Sequence, residues 1–119
     1  GKLPLLKALI DYLDPAILCL QETKWRGNTN PHYAGYNCYT KPPTLNAGTR
    51  RYRGGLITLV RTQIRSHIIS TDNEGGCETL TVGIETEIGL LHITNLYIHP
   101  TERLPQQLVL RHMTHATSI

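Results

Sequence analysis

Asp14-Pro15-Ala16-Ile17-Leu18-Cys19-Leu20-Gln21-Glu22-Thr23-Lys24 holds a helix stop, a strand and one chemical group. Asp14-Pro15 ends whatever helix precedes it, because the proline ring disfavours helical geometry at the residue before it. The run Ala16-Ile17-Leu18-Cys19-Leu20 is apolar on both faces, which predicts a strand buried between layers, as in an α/β protein. It runs straight into the carboxylate of Glu22. Burying an isolated carboxylate costs several kcal/mol unless it is paired or coordinates a metal. Glu22, read at the end of a central strand, therefore either reaches water as a plain strand-exit charge or meets a cation, and the spacing alone leaves both open.

Upstream, 3–13 places Leu6, Leu9, Ile10 and Leu13 at helical spacing, with Lys2, Lys7 and Asp11 elsewhere on the wheel. Downstream, 24–49 is rich in Asn, Pro, Gly and Tyr and reads as a long irregular loop with a short strand at 36–40. A further strand is expected at 56–60, introduced by Gly54-Gly55, and another at 65–70, ahead of the turn-forming Asp72-Asn73-Glu74-Gly75-Gly76. The segments 78–85 and 90–98 read as consecutive strands around a turn at Glu87-Ile88-Gly89. In the second, Leu91, Ile93, Asn95 and Tyr97 share one face. Pro100 ends it, and Leu104, Leu108, Val109, Met113 and Ala116 fit a closing helix. The order helix, strand, loop, several antiparallel strands, helix predicts a mixed α/β or α+β sandwich with sheets covered by helices.

The 119 residues amount to one domain. Twelve Lys+Arg against nine Asp+Glu leave a net charge of +3 and a pI near 8.9, which permits a polyanionic partner without demanding one. No apolar run approaches the roughly 18 residues of a membrane span, so no membrane partner is expected. Cys19, Cys38 and Cys77 are widely spaced and odd in number; neither a disulfide framework nor a zinc pattern is readable, which suits a reducing intracellular location, cytoplasmic or nuclear. The first residue is Gly1 and no leader follows, so the chain is expected to be a segment of something longer.

Beside Glu22, two stretches carry chemistry. Arg53-Gly54-Gly55 opens a strand with paired glycines, which serve either a plain turn or a close backbone approach. Asn95-Leu96-Tyr97-Ile98-His99-Pro100 ends another strand with an amide and a phenol on one face. Arg50-Arg51-Tyr52-Arg53 joins guanidinium groups to an aromatic, either a phosphate- and base-contacting strip or a solvated loop. Lys24 and Arg26 follow Glu22 closely, and Trp25 between them reads as a loop anchor or a stacking residue. His112 and His115 lie three apart with no third zinc ligand in view.

Taken in order, Leu20-Gln21-Glu22-Thr23-Lys24, Arg53-Gly54-Gly55 and Asn95-Leu96-Tyr97-Ile98-His99-Pro100 resemble the endonuclease/exonuclease/phosphatase superfamily. The chain is most similar to the apurinic-type endonucleases of LINE-type, non-LTR, jockey-like retrotransposon polyproteins, from about Leu5 to Pro100. The resemblance implies a four-layer fold, two β-sheets face to face with helices outside, here as a truncated copy over 1–119 lacking the first strand and the C-terminal part. It implies that Glu22 holds a divalent metal, Mg²⁺ or Mn²⁺, and that Tyr97 stands beside the scissile phosphate, which makes these two the catalytic candidates. Arg51, Arg53, Lys24 and Asn95 are the candidates for contact with nucleic acid. The implied partners are DNA and, in the full polyprotein, a reverse transcriptase domain and the element RNA.

The resemblance also marks departures. The family's Asn on the first strand would precede this chain. No Asp-x-Asn motif follows Tyr97, where the one acid is Glu102, and none of the six histidines follows an Asp, so no general base is assigned. The tail Arg111-His112-Met113-Thr114-His115 does not match the family's run at that place. The expected activity is magnesium-dependent DNA nicking, with the 119 residues inactive alone. The competing readings are a relative acting on another phosphate ester and a degenerate, non-catalytic nucleic-acid-binding fragment.

Overall fold

The computed structural model of the protein describes residues 3–27 and 31–99, with one helix, α1 (Leu3–Leu13), and eight strands. Asp14 closes α1 in the left-handed region at φ 49° while its N–H still bonds Ile10 O at 2.8 Å, and Pro15 prevents continuation. Of the expected apolar stripe, Leu6 and Ile10 pack inward, whereas Leu9 and Leu13 are exposed.

The strands β1 (Ile17–Gln21), β2 (Tyr36–Lys41) and β5 (Leu56–Arg61) form one antiparallel sheet in the order β1-β5-β2. Ile17 pairs with Val60 and Gln21 with Leu56. The central strand is thus β5, buried from Leu56 to Val60, and β1 is a half-buried edge strand among the described residues. This corrects the expectation of a fully buried, central β1, although the strand does lie between layers, with Leu18 and Leu20 toward α1 and Ile17 toward the second sheet. An apolar pentapeptide has no period that separates a central strand from an edge strand facing a helix on one side and a sheet on the other.

A second antiparallel sheet has the order β6-β7-β8, from β6 (Ser66–Glu74), β7 (Cys77–Thr86) and β8 (Gly89–Ile98). Between β6 and β7 the loop is just Gly75-Gly76, at φ 58° and 75°, so β6 runs further than the expected 65–70. Successive positive φ values match the right-handed twist of a tight hairpin. Leu80, Val82 and Ile84 of β7 meet Leu56 and Val60 of β5 between the sheets, with Ile17, Tyr39, Leu91, Ile93 and Tyr97 packed around them. A second cluster, Ile10 with Ile57 and Leu59, joins α1 to the outer face of the first sheet and includes Leu6, Leu18, Trp25 and Tyr33. Trp25 is therefore a loop anchor. The arrangement is an α+β sandwich, helix on sheet on sheet, in line with the fold class expected. The expected closing helix over 104–116, Glu102 and the pair His112/His115 lie outside the described residues.

The described part of 24–49 is less irregular than its composition implies. It contains β2, and a small ribbon pairs β3 (Thr44–Asn46) with β4 (Arg51–Arg53). Asn73 Nδ2 donates to Thr44 Oγ1 at 2.9 Å and ties that ribbon to the second sheet. At the opposite end, Arg61 clamps the corner between α1 and β1: its guanidinium bonds Pro15 O at 3.1 Å and contacts Asp14, while the Tyr36 hydroxyl donates to Pro15 O at 2.6 Å.

Candidate active site

The site lies where three strand ends meet. The β1–β5 pairing runs past Gln21, with Thr23 N bonding Gly55 O at 3.2 Å and Lys24 N bonding Gly54 O at 3.0 Å. On either side of Thr23, Glu22 and Lys24 adopt left-handed backbone at φ 55° and 53°. Such conformations cost of order 1–3 kcal/mol in a non-glycine residue and persist where the surroundings fix them. Here the exposed Glu22 carboxylate is held by the Gly54 N–H, which donates to its Oε1 at 3.1 Å.

Consecutive N–H groups of the glycine pair serve two different carboxylates. Gly55 N donates to Oε1 of Glu78 at 3.1 Å, and the same oxygen receives Lys41 Nζ at 2.8 Å. Both glycines have positive φ, 82° and 92°, and a Cβ on Gly54 would overlap the Glu78 carboxylate. This is why paired glycines precede β5: backbone must lie against a carboxylate from the facing sheet. Glu78 is fully buried and Lys41 nearly so. The other oxygen, Oε2, sits 3.2 Å from His99 Nε2, at ion-pair distance but short of hydrogen-bond alignment.

Tyr97 stands directly opposite Glu78 on the β7–β8 ladder. Its phenol lies within electrostatic reach of the Glu22 carboxylate. Loss of water around the phenol pushes its pKa above the ordinary tyrosine value; Glu22 and then Glu78 add to the rise, and Arg53 opposes it. His99 packs edge-on against the Tyr97 ring, with centroids 5.1 Å apart. Glu22 and Tyr97 thus converge, with Arg53 beside them.

Asn95 is 2 % exposed, and its amide is engaged on both sides. Its Oδ1 accepts from Gln21 Nε2 at 2.6 Å. Its Nδ2 is shared among Leu20 O at 3.1 Å, Ile57 O at 3.2 Å and Thr58 Oγ1 at 3.3 Å. The expected role in touching nucleic acid is therefore corrected to one of positioning: Asn95 staples β8 to β1 and β5 from within. Arg51 and Lys24 are exposed, and Arg26 stacks 4.5 Å over the Tyr52 ring, joining the loop after Glu22 to the ribbon.

Three residues of this end were not singled out from sequence. Glu78, Leu80, Val82 and Ile84 alternate along β7, so period two already places Glu78 on the apolar face. His99 continues the face of Asn95 and Tyr97 by one more step. Lys41 carries no such sign, because its burial comes from Glu78, which lies on another sheet.

Among the described residues, no group of three or more His, Cys, Asp or Glu side chains is arranged to hold a metal ion. None of the described helices is long and apolar enough to cross a membrane. Comparison with curated proteins and with solved structures gave no match. A model of the endonuclease/exonuclease/phosphatase family matches residues 3–118, which takes in every strand of the site. On that match the chain belongs to the endonuclease/exonuclease/phosphatase family, a family of phosphate-ester hydrolases.

Proposed function

We propose that the chain serves divalent-metal-dependent hydrolysis of a DNA phosphodiester bond, as the nicking endonuclease of a LINE-type retrotransposon. The strand break would leave a 3′-hydroxyl to prime a reverse transcriptase of the same polyprotein copying the element RNA. The observation that supports this reading is the meeting of Glu22 and Tyr97, a carboxylate from one sheet and a phenol from the other.

Of the two carboxylates here, one suits a cation. Glu22 is exposed and oriented by a single backbone N–H, which fits one position in the shell of a hard cation that takes oxygen ligands and keeps several waters. Glu78 does not fit, because Lys41, Gly55 and His99 already surround it. Glu22 would therefore hold Mg²⁺ or Mn²⁺, which supplies neutralisation of charge developing on the phosphate and leaving oxygen. Gly54 sets the direction of the Glu22 carboxylate. Tyr97, with its pKa raised, stays protonated through neutral pH and directs its O–H toward a phosphate oxygen. Lys24, Arg51 and Arg53 supply positive charge for the DNA backbone.

Nicking of supercoiled DNA with Mg²⁺ tests the reading, on the 119-residue chain and on a longer in-frame product that contains it and an Asp-His pair. The 119 residues have no Asp-His pair to activate water, so no nicking is expected from them. In the longer product, Glu22→Ala should abolish nicking and Tyr97→Phe should lower the rate roughly a hundredfold. Full activity in Glu22→Ala would remove Glu22 from the chemistry and the proposal with it.

A further inference from the structure

A cleft of about 300 Å³ opens beside the Glu22–Tyr97 pair, lined by Thr44, Asn46, Arg53, Asn73, Gly76 and His99. Three elements build it: the β3–β4 ribbon, the β6–β7 hairpin and the end of β8. Two bonds hold them together, Asn73 to Thr44 at 2.9 Å and His99 N to Gly76 O at 3.0 Å. The cleft is thus framed by ordered backbone. Its lining offers hydroxyl, amide, imidazole and guanidinium groups and no carboxylate.

The charges that bear on it are those of Glu78, Arg53 and the exposed Glu22 carboxylate held by the Gly54 N–H. Glu78 lies behind His99, but its charge is met by Lys41 at 2.8 Å. Arg53 is half-buried, and among the described residues no carboxylate forms an ion pair with it. A guanidinium drawn partly out of water without an ion-pair partner keeps its donors available to an anion entering the cleft, and the carboxylate left near it, Glu22, is the proposed cation ligand. The planar guanidinium fork matches a phosphate, and Asn and Thr side chains complete such sites with neutral hydrogen bonds.

The cleft also lies in step with the pair next to it. Arg53 precedes Gly54, whose N–H orients Glu22, and His99 lies two residues beyond Tyr97, about 7 Å along an extended strand. A phosphate in the cleft and a phosphate at Tyr97 are therefore neighbours of the kind an extended polynucleotide provides.

Resting on the reading of Glu22 and Tyr97 as the cleavage site, we propose that this cleft is a subsite for a second phosphate group, the one next to the scissile phosphate on the same strand, gripped by Arg53 with Asn46, Asn73 and His99. The site then reads two consecutive phosphodiesters, which makes a polynucleotide the substrate and excludes esters that carry a single phosphate.

The test is a titration of the 119-residue chain, followed through the amide resonances of Asn46, Gly76 and His99 and the Arg53 Nε–H, without divalent metal. One arm adds a short single-stranded oligonucleotide and the other adds inorganic pyrophosphate. Asn73→Asp is the main variant: Thr44 can donate to the new carboxylate, so the frame survives while a negative charge enters the cleft. Arg53→Lys is the second, keeping the charge and losing the fork. The oligonucleotide should shift these resonances, with affinity at least tenfold lower in Asn73→Asp and lower in Arg53→Lys.

No shift in the cleft, or equal affinity in Asn73→Asp, would overturn the proposal. Pyrophosphate binding as tightly as the oligonucleotide would overturn the assignment to a strand. Repeating the titration on Glu22→Ala separates the two readings. Cleft shifts retained there, together with full nicking by the Glu22→Ala longer product, would sink the cleavage site and leave the anion site standing.

Discussion

Gly54 is the residue on which the site's geometry turns. Its φ of 82° and the nearness of the Glu78 carboxylate both exclude a side chain. Gly54→Ala should therefore destabilise the fold by more than the roughly 1–3 kcal/mol of backbone strain alone, read from the midpoint of urea unfolding. An unchanged midpoint would show that the close approach is not real. The buried pair makes a second prediction. Glu78→Gln leaves Lys41 charged and without its counter-ion, a change worth about 3–5 kcal/mol where a buried pair is broken. Adding Lys41→Met should restore much of that loss, because the double variant removes both charges. If the double variant is less stable than Glu78→Gln, the ion pair does not link the two sheets as described. Both carboxylates stand in the sequence as single letters, yet one is exposed and strained while the other is fully buried. Glu22 was legible because a strand visibly ends at it. Glu78 begins a strand after a turn, where an exposed charge is the ordinary reading.

Among the elements, β8 is the most legible, since its ten residues alternate and three of the four expected to share one face, Leu91, Ile93 and Tyr97, pack against the core between the sheets. The β6–β7 hairpin has a tighter turn than its composition predicts, because Asp72, Asn73 and Glu74 are turn-forming residues that here remain in the strand. Gly75-Gly76 alone makes the turn, and that carries its own prediction. Gly75→Asn should be tolerated, since asparagine visits the left-handed region readily. Gly75→Val should lower stability by about 1–2 kcal/mol, measured by chemical unfolding. Equal stability of the two variants would contradict the two-residue turn. The β3–β4 ribbon escaped the sequence reading, because three-residue strands rich in Thr, Asn and Arg lack an apolar period. What holds it to the molecule is Asn73, a residue of another element.

For the molecule as a whole, buried and half-buried acids of raised pKa set the response to alkali. Burial pushes the Cys38 thiol up to about 11 and raises Cys19 and Cys77 as well, with Tyr97 raised chiefly for the same reason. Each group ionises more easily in the unfolded chain, where a cysteine titrates near 8.5, so the unfolded state sheds protons first as pH climbs. Stability should thus be full below about pH 8.5 and fall between about 8.5 and 11. Thermal unfolding across that range checks it, and a melting temperature that holds or rises to pH 11 would refute it. The same shift should slow alkylation of Cys38 at pH 8 roughly a hundredfold relative to a free thiol, since the thiolate is the reactive form.

Local chemistry along the chain sets the helix stop at Asp14-Pro15, the strands with apolar or alternating patterns, and the standing of Glu22 and Tyr97 as a carboxylate and a phenol at strand ends. Local sterics and side-chain periodicity act over a few residues, and a reader of the chain sees those directly. Long-range packing places β1 at an edge and β5 at the centre among the described residues, locks Asn95 inside and gathers Lys41, Glu78 and His99 behind Tyr97. Each of these depends on which strand lies opposite which across two sheets, and burial, ion pairing and a shared hydrogen bond exist only once segments distant in the chain come together.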